Sequence, residues 1–133
     1  MLGGLAFCGT AQAQATVLGH PMPPYAFDAK AHIQGYLDRA EAFWADRGGY
    51  LGCDVRVWWV EFAEDWPPAD AHPDACVIQL HPRQWHEIRS PRRRCLIIAH
   101  EYGHLLGLEH EAGGIMAQAT MYQHPTKRCR FGR

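Results

Sequence analysis

Apolar residues recur every three or four positions in the segment that precedes Gly48 and Gly49. They are Ile33, Tyr36, Leu37, Ala40, Phe43 and Trp44. A helix places residues at this spacing on one face, and Asp28 is a suitable N-cap ahead of them. Consecutive glycines favour helix termination. The pattern therefore predicts a helix that begins after Asp28, ends at Gly48 and buries one face in the core.

Two shorter segments predict strands. The segment from Cys53 to Phe62 is rich in Val and Trp, and apolar and polar residues alternate over its first half, which is typical of a half-buried strand. A second short apolar run extends from Cys76 to Leu80. Between them, the segment from Ala63 to Ala75 holds three prolines and four acidic residues, so we predict a surface loop there.

A second helix is predicted after Ser90, which is a suitable N-cap with Pro91 at the first helical position. Apolar residues continue the helical pattern as far as Gly107; they are Leu96, Ile97, Ile98, Ala99, Leu105 and Leu106. Helices and short strands in this arrangement predict an α/β or α+β layer, with the helices packed on one twisted sheet.

Length and composition favour a single globular domain. The chain has 133 residues, of which 47% are hydrophobic and 20% are charged, so it has enough apolar residues for a packed core. Its formal net charge of -1 excludes the broad basic field expected of a nucleic-acid-binding protein. No apolar run approaches the roughly 20 residues needed to cross a bilayer, so we expect no transmembrane segment.

The N-terminus has features of a secretory signal peptide. Residues 1–15 carry no charge, contain a short apolar run and end in alternating alanines, which fits a signal-peptidase site, although a positive n-region is missing. We therefore predict a signal-peptide remnant over 1–15, a mature domain over 16–133, and a secreted or periplasmic protein. An alternative is a frayed or strand-forming N-terminus that retains Cys8.

Cysteine counting agrees with export. Removal of Cys8 with a signal peptide leaves four cysteines, which can form two disulfides in three connectivities; they are Cys53, Cys76, Cys95 and Cys129. If the two predicted strands are parallel neighbours, Cys53 and Cys76 lie together at their starts, and Cys95 pairs with Cys129. Four buried thiols in a cytosolic protein are the alternative.

The most informative segment extends from His100 to His110. On a helix, His100 and His104 are four residues apart and project from one face, where their imidazoles can bind one ion. Gly107 permits a sharp turn that brings His110 back as a third ligand. Three imidazoles and an open fourth position are typical of a catalytic zinc site, and Glu101 lies beside it as a candidate general base.

The sequence H-E-x-x-H-x-x-G-x-x-H resembles the zinc-binding signature of the metzincin superfamily of metallopeptidases. Met116, after two glycines, is similar to the methionine of the metzincin Met-turn. The closest likeness is to small bacterial matrixin-like proteins. The resemblance implies an α+β zincin-like single domain, with a twisted sheet, an active-site helix and a C-terminal helix that begins in the segment from Ala117 to Tyr122. Some metzincins have a tyrosine ligand at the position that Gln118 occupies here.

The expected function is a secreted zinc-dependent endopeptidase. Zn²⁺ activates the water that attacks a peptide bond, and Glu101 takes the proton from this water as general base. We expect one catalytic Zn²⁺, a polypeptide substrate and a monomer. Two alternatives stay open, namely a zinc-containing module that binds a partner without cleaving it, and a zinc amidase that acts on a non-protein substrate.

Further metal sites have weaker support. Several polar residues before the second helix loosely resemble the structural zinc site of matrixins, but their spacing fits poorly; they are Asp70, His72, His81 and His86. Three aspartates lack the regular alternation of a calcium loop; they are Asp65, Asp70 and Asp74. We therefore interpret these residues as exposed loop residues, and a Ca²⁺ site and a second structural zinc site stay open as alternatives without support.

Overall fold

The structure is a computed structural model that describes residues 15–17, 29–60, 67–118 and 127–130. The elements in chain order are β1 (Ala15–Val17), α1 (Ala29–Ala45), β2 (Arg56–Trp59), β3 (Ala69–His72), β4 (Val77–Leu80), α2 (Pro82–Glu87) and α3 (Pro91–Leu105). Two short 3₁₀ turns cover Pro73–Ala75 and Lys127–Cys129.

The strands form one mixed sheet in the order β1-β2-β4-β3. Strands β1, β2 and β4 are parallel neighbours, and β3 pairs antiparallel with β4, so β3 is an edge strand. Val57, Trp59, Ile78 and Leu80 are almost fully buried. The predicted twisted-sheet α+β architecture is confirmed in its broad class.

The predicted apolar face of α1 is confirmed, because the six residues that define it, from Ile33 to Trp44, are all buried. This face packs on α3. The indole Nε1 of Trp44 donates a hydrogen bond of 2.8 Å to the carbonyl oxygen of Ala99. This bond joins a side chain of α1 to a backbone carbonyl of α3, so it fixes the relative position of the two helices.

Helix α3 begins as the sequence predicts. The Ser90 hydroxyl accepts a hydrogen bond of 3.2 Å from the backbone N–H of Arg93, and Pro91 occupies the first turn. The helix is buried from Cys95 to Gly103 and packs against β3 and β4. Its C-terminal half therefore lies beside the edge strand of the sheet.

The segment from Ala63 to Ala75 is not the loop that its composition predicts. It contains the edge strand β3, and its last residues form the 3₁₀ turn Pro73–Ala75. Alanine and aspartate have low strand propensity, so pairing with β4 determines this strand. Strand β2 is shorter than predicted, and the sequence does not predict the short helix α2, because six residues are too few to show a helical period.

The predicted disulfide connectivity is confirmed, with Cys53 bonded to Cys76 and Cys95 bonded to Cys129. The first pair joins the starts of the parallel strands β2 and β4. The second joins α3 to the C-terminal 3₁₀ turn. Arg128 in that turn also makes a bidentate ion pair with Asp46, at 3.0 to 3.1 Å.

Some expectations lie outside the described residues. They include residues 1–14 of the predicted signal-peptide remnant, the N-cap Asp28 and the aspartate Asp65. Ala15, the last residue of the predicted remnant, pairs with Val57 in the sheet. Ala117 and Gln118, at the predicted start of a C-terminal helix, are not helical, and residues 119–126 are not described.

Candidate metal centre

His100 and His104 lie one turn apart on the face of α3 that is turned towards β3. Their ring centroids are 4.7 Å apart, and their Nε2 atoms are separated by 3.1 Å. His100 is buried, whereas His104 is partly exposed. The four-residue spacing therefore brings two imidazole nitrogens to one point at the end of the helix, as the sequence predicts.

A glycine allows the third histidine to return to this point. Gly107 has a φ of 93°, a conformation that residues with a Cβ rarely adopt, and the backbone N–H of Leu108 donates to the carbonyl oxygen of Gly103. The chain then reverses direction. The Nε2 atom of His110 lies 3.2 Å from the Nε2 atoms of both His100 and His104.

Backbone carbonyls orient two of the imidazoles. The Nδ1 atom of His100 lies 2.8 Å from the carbonyl oxygen of Ile115, and the Nδ1 atom of His104 lies 2.8 Å from that of Leu108. A carbonyl oxygen only accepts, so each Nδ1 carries the proton and donates it. Both Nε2 atoms are therefore left with a lone pair, as a metal ligand requires.

In the described part of the chain, the three histidines form a group whose ligand atoms all lie within 4.8 Å of one another, as binding of one metal ion requires. Burial lowers the pKa of His100, and the imidazoles of His104 and His110 lower it further, against the hydrogen bond with Ile115, which raises it. A lowered pKa favours the neutral imidazole, which is the form that binds metal. The cluster can therefore hold one metal ion.

Glu101 lies beside the histidine cluster and is 7% exposed. Burial raises the pKa of Glu101 to about 8, and the negative charge of Asp70 on β3 contributes to this shift. Within the described residues the carboxyl group makes no hydrogen bond, and it faces the same cleft as the three histidines. It is therefore free to exchange a proton with a molecule bound there.

Met116 is almost fully buried, in the turn that follows His110. Its carbonyl oxygen accepts from the N–H of Glu111, and Ala117 donates to the carbonyl oxygen of Gly114, which closes the turn. The Met116 sulfur packs directly against Gly103 of α3. The turn therefore packs against α3, and its Ile115 carbonyl also orients the imidazole of His100.

The cleft above the cluster has a volume of about 610 Å³. Its lining includes residues of the edge strand β3 and the prolines that precede it, together with Leu108, Glu109 and Gln118. The sequence does not reveal the contribution of β3 and Asp70, because the composition of this segment predicts a loop. The polar residues Asp70 and His72 alternate with the apolar Ala71, but this pattern spans too few residues to predict a strand.

The remaining polar residues do not form a second metal site within the described ranges. Asp70 contacts two imidazoles, with its Oδ1 atom 3.2 Å from Nε2 of His72 and its Oδ2 atom 3.7 Å from Nε2 of His81. These residues nevertheless do not converge as a group of three ligand atoms within 4.8 Å, unlike the histidine cluster. His86 and Asp74 are exposed as predicted. The interpretation as exposed loop residues is wrong for His81, which is almost fully buried, and Asp70 and His72 lie on strand β3 instead of a loop.

Within the described ranges, none of the helices is both long enough and apolar enough to cross a membrane.

Comparisons with protein-family models, with curated proteins and with solved structures give no match to this chain. The resemblance to metzincins consequently rests on the residues from His100 to Met116 and on their arrangement around one cleft.

Proposed function

We propose that this protein is a zinc-dependent endopeptidase with a metzincin-like active site. The observation that carries the proposal is the position of Glu101, a buried carboxyl group beside three converging imidazoles in an open cleft. A purely structural metal site needs four protein ligands and no acid beside it. Three ligands with an adjacent acid fit a hydrolytic site.

The donor set supports zinc. Nitrogen ligands bind Zn²⁺ at about 2.0 to 2.1 Å in tetrahedral geometry, which requires nitrogen atoms roughly 3.4 Å apart. The three Nε2 atoms are 3.1 to 3.2 Å apart, close to that requirement. When bound, a zinc ion would polarise the scissile carbonyl and lower the pKa of a coordinated water towards about 7.

Glu101 performs the proton transfers in this proposal. Its carboxylate takes a proton from the attacking water and then gives it to the nitrogen of the leaving amine. Burial favours the protonated acid, whereas the positive charge of a metal ion held by the three histidines would favour the carboxylate. These opposing influences give the group the ability both to accept and to release a proton near neutral pH.

An extended polypeptide fits the edge of the sheet. The N–H of His81 donates to the carbonyl oxygen of Pro68, so these two residues form a hydrogen-bonded pair at the end of the β3–β4 ladder. Antiparallel pairs alternate, so Ala69 and Ala71 direct their N–H and C=O groups away from β4, towards the edge of the sheet that none of the described strands covers. A substrate strand can pair with these groups next to Glu101.

The proposal also includes a zincin-like fold and an extracellular or periplasmic site of action. The active-site helix lies on the sheet beside its antiparallel edge strand, with the Met116 turn beneath it. Two disulfides are typical of proteins that fold in oxidising compartments. Both features agree with the expectation from the motif.

Replacement of Glu101 by glutamine tests the function. The variant keeps the size of the side chain but loses the base, so kcat on unfolded protein substrates should fall by about 10² to 10⁴ while zinc content is unchanged. Glu87→Gln, on the exposed side of α2, is the matched control and should retain full activity.

The same assay separates the alternatives. Zinc binding with no cleavage of proteins, peptides or non-protein amides would favour a binding module. Cleavage of non-protein amides alone, still dependent on Glu101, would favour an amidase. Full peptidase activity in Glu101→Gln would disprove the assignment of the base.

A further inference from the structure

The cleft differs in charge from the rest of the molecule. The whole chain is nearly neutral, with 13 basic and 14 acidic residues. The charged side chains that line the described part of the cleft are all acidic, namely Asp70, Glu101 and Glu109. Lysine and arginine are absent from this described lining. The carboxylates of Asp70 and Glu109 attract ligands of positive charge, and the apolar walls of the cleft strengthen this attraction.

Asp70 is the acidic residue that β3 contributes to this cleft. Its side chain is 28% exposed, and it lies on β3 on the same face of the strand as His72. The contacts with His72 and His81 orient both carboxylate oxygens. A carboxylate has about four lone-pair sites, so two such contacts leave capacity for a further donor.

The register of the sheet gives Asp70 a defined neighbour in a bound substrate. Asp70 lies two residues after Pro68, which is in a hydrogen-bonded pair with His81. Because hydrogen-bonded pairs recur every second residue, Asp70 forms such a pair with Gln79 on β4. In an antiparallel strand added at the free edge, the residue opposite Asp70 is therefore in a non-hydrogen-bonded pair. Side chains of such pairs approach most closely, and opposite charges there stabilise the pairing.

The surroundings of Asp70 also suit a long basic side chain. Pro67 and Pro68 precede β3 and line the same cleft, which is also lined by Leu108, with 36% of its surface exposed. The methylene groups of lysine or arginine pack on apolar surface of this kind while the charged end reaches a carboxylate.

We propose that the cleft selects polypeptides with a lysine or arginine near the scissile bond, and that Asp70 binds this basic side chain. The inference rests on the proposed endopeptidase function and extends it to a substrate class. Asp70 is then a specificity-determining residue, distinct from the metal-binding histidines and from the general base.

The test uses the zinc-loaded full chain and two matched sets of peptides. In one set a single lysine is moved through the positions that flank the scissile bond, and in the other norleucine replaces the lysine. We expect one position at which lysine raises kcat/KM by about 10- to 100-fold over norleucine, the range of a hydrogen bond to a charged group. Added salt should reduce this ratio, because it screens the charges.

Asp70→Asn should bring the lysine-to-norleucine ratio close to one. Asp74→Asn is the matched control, because Asp74 is exposed in the neighbouring 3₁₀ turn and does not line the cleft, and it should keep the wild-type ratio. The ratio is the correct measurement because loss of Asp70 also changes the environment of Glu101, which affects both peptides equally. Asp70→Lys should reverse the preference towards glutamate peptides.

The outcomes distinguish the two proposals. Cleavage of both peptide sets at equal rates, or a lysine preference that persists in Asp70→Asn, would overturn the role of Asp70 while the endopeptidase function stands. Absence of any cleavage by the zinc-loaded wild type would overturn both. The salt dependence of the wild type provides a measurement that does not depend on the folding of any variant.

Discussion

Gly103 of helix α3 lies in direct contact with Met116 in the turn that follows His110. A Cβ atom at Gly103 would overlap the Met116 sulfur and would lie 2.8 Å from Cζ2 of Trp44. Trp44 is itself held by its hydrogen bond to Ala99. The helix, the turn and the first helix can therefore approach each other only because residue 103 has no side chain.

We expect Gly103→Ala to destabilise the protein and to weaken metal binding. The extra methyl group displaces Met116 or Trp44, and overpacking of this kind costs about 1 to 3 kcal/mol. Displacement of the Met116 turn also moves the Ile115 carbonyl that orients His100. Chemical denaturation and zinc titration measure the two effects.

Gly35→Ala is the matched control, because Gly35 also lies inside a helix but a methyl group there would meet no atom within 4 Å. Helix propensity alone predicts that this change stabilises the protein by roughly 0.5 to 1 kcal/mol. Equal stability changes for the two alanines would contradict the packing role of Gly103.

Zinc binding is the second prediction. The purified protein should bind one Zn²⁺ per chain. Alanine at His100, His104 or His110 should weaken zinc affinity by more than about 100-fold, since loss of a residue that only supports a ligand already costs roughly 10- to 100-fold. Metal content after dialysis and competition with a chromophoric chelator measure the affinity.

His86→Ala is the control for these variants, because His86 is exposed on α2 and outside the cluster. It should bind zinc as the wild type does. A wild-type protein that remained metal-free and active would exclude the proposed site.

The sequence predicts the ligand cluster well because most of its geometry is local. The helical period brings His100 and His104 together, and a glycine at position 107 permits the turn towards His110. The burial of Met116 follows from the same short segment. These features need only the chain between the helix and the turn, so a single motif is sufficient to predict them.

The sequence does not predict the wall of the cleft, because that wall depends on contacts between distant segments. Ala69–His72 becomes a strand only through its pairing with Val77–Leu80. The burial of Glu101 and the position of Asp70 near it, which together raise the pKa of Glu101, depend in turn on the packing of α3 against this strand. Propensity and periodicity contain no information about such contacts.

The disulfides provide the third prediction. They span 23 and 34 residues, and closure of loops of these lengths stabilises the folded state by about 3 to 4 kcal/mol in the chain-entropy model. The double variant Cys95→Ala, Cys129→Ala should therefore lose about this free energy of unfolding, and Cys53→Ala, Cys76→Ala should lose a similar amount. Urea denaturation measures the loss. Peptide mapping that found four free thiols in exported protein would contradict the pairing.

The last prediction concerns the pH dependence of stability in the metal-free protein. The pKa of Glu101 is about 8 in the folded state, against 4.5 as its ordinary value, so the folded state holds its proton more tightly than the unfolded chain. The resulting stabilisation is fully present below pH 4.5 and is lost as the pH rises towards 8. One proton corresponds to a slope of up to about 1.4 kcal/mol per pH unit.

His100 acts in the opposite direction and in a different pH range. Its lowered pKa gives stability that is present above pH 6.5, its ordinary pKa, and is lost on acidification.

Measurements between pH 7 and 8 therefore isolate the effect of Glu101. In this range the free energy of unfolding should fall with pH in the wild type and in the control Glu87→Gln, and this fall should be absent in Glu101→Gln. The difference between variants cancels all other titrating groups, so parallel curves for wild type and Glu101→Gln would show that Glu101 does not hold a proton in the folded protein. Saturating Zn²⁺ should flatten the wild-type curve, because a positive charge on the three histidines lowers the pKa of the adjacent carboxyl group.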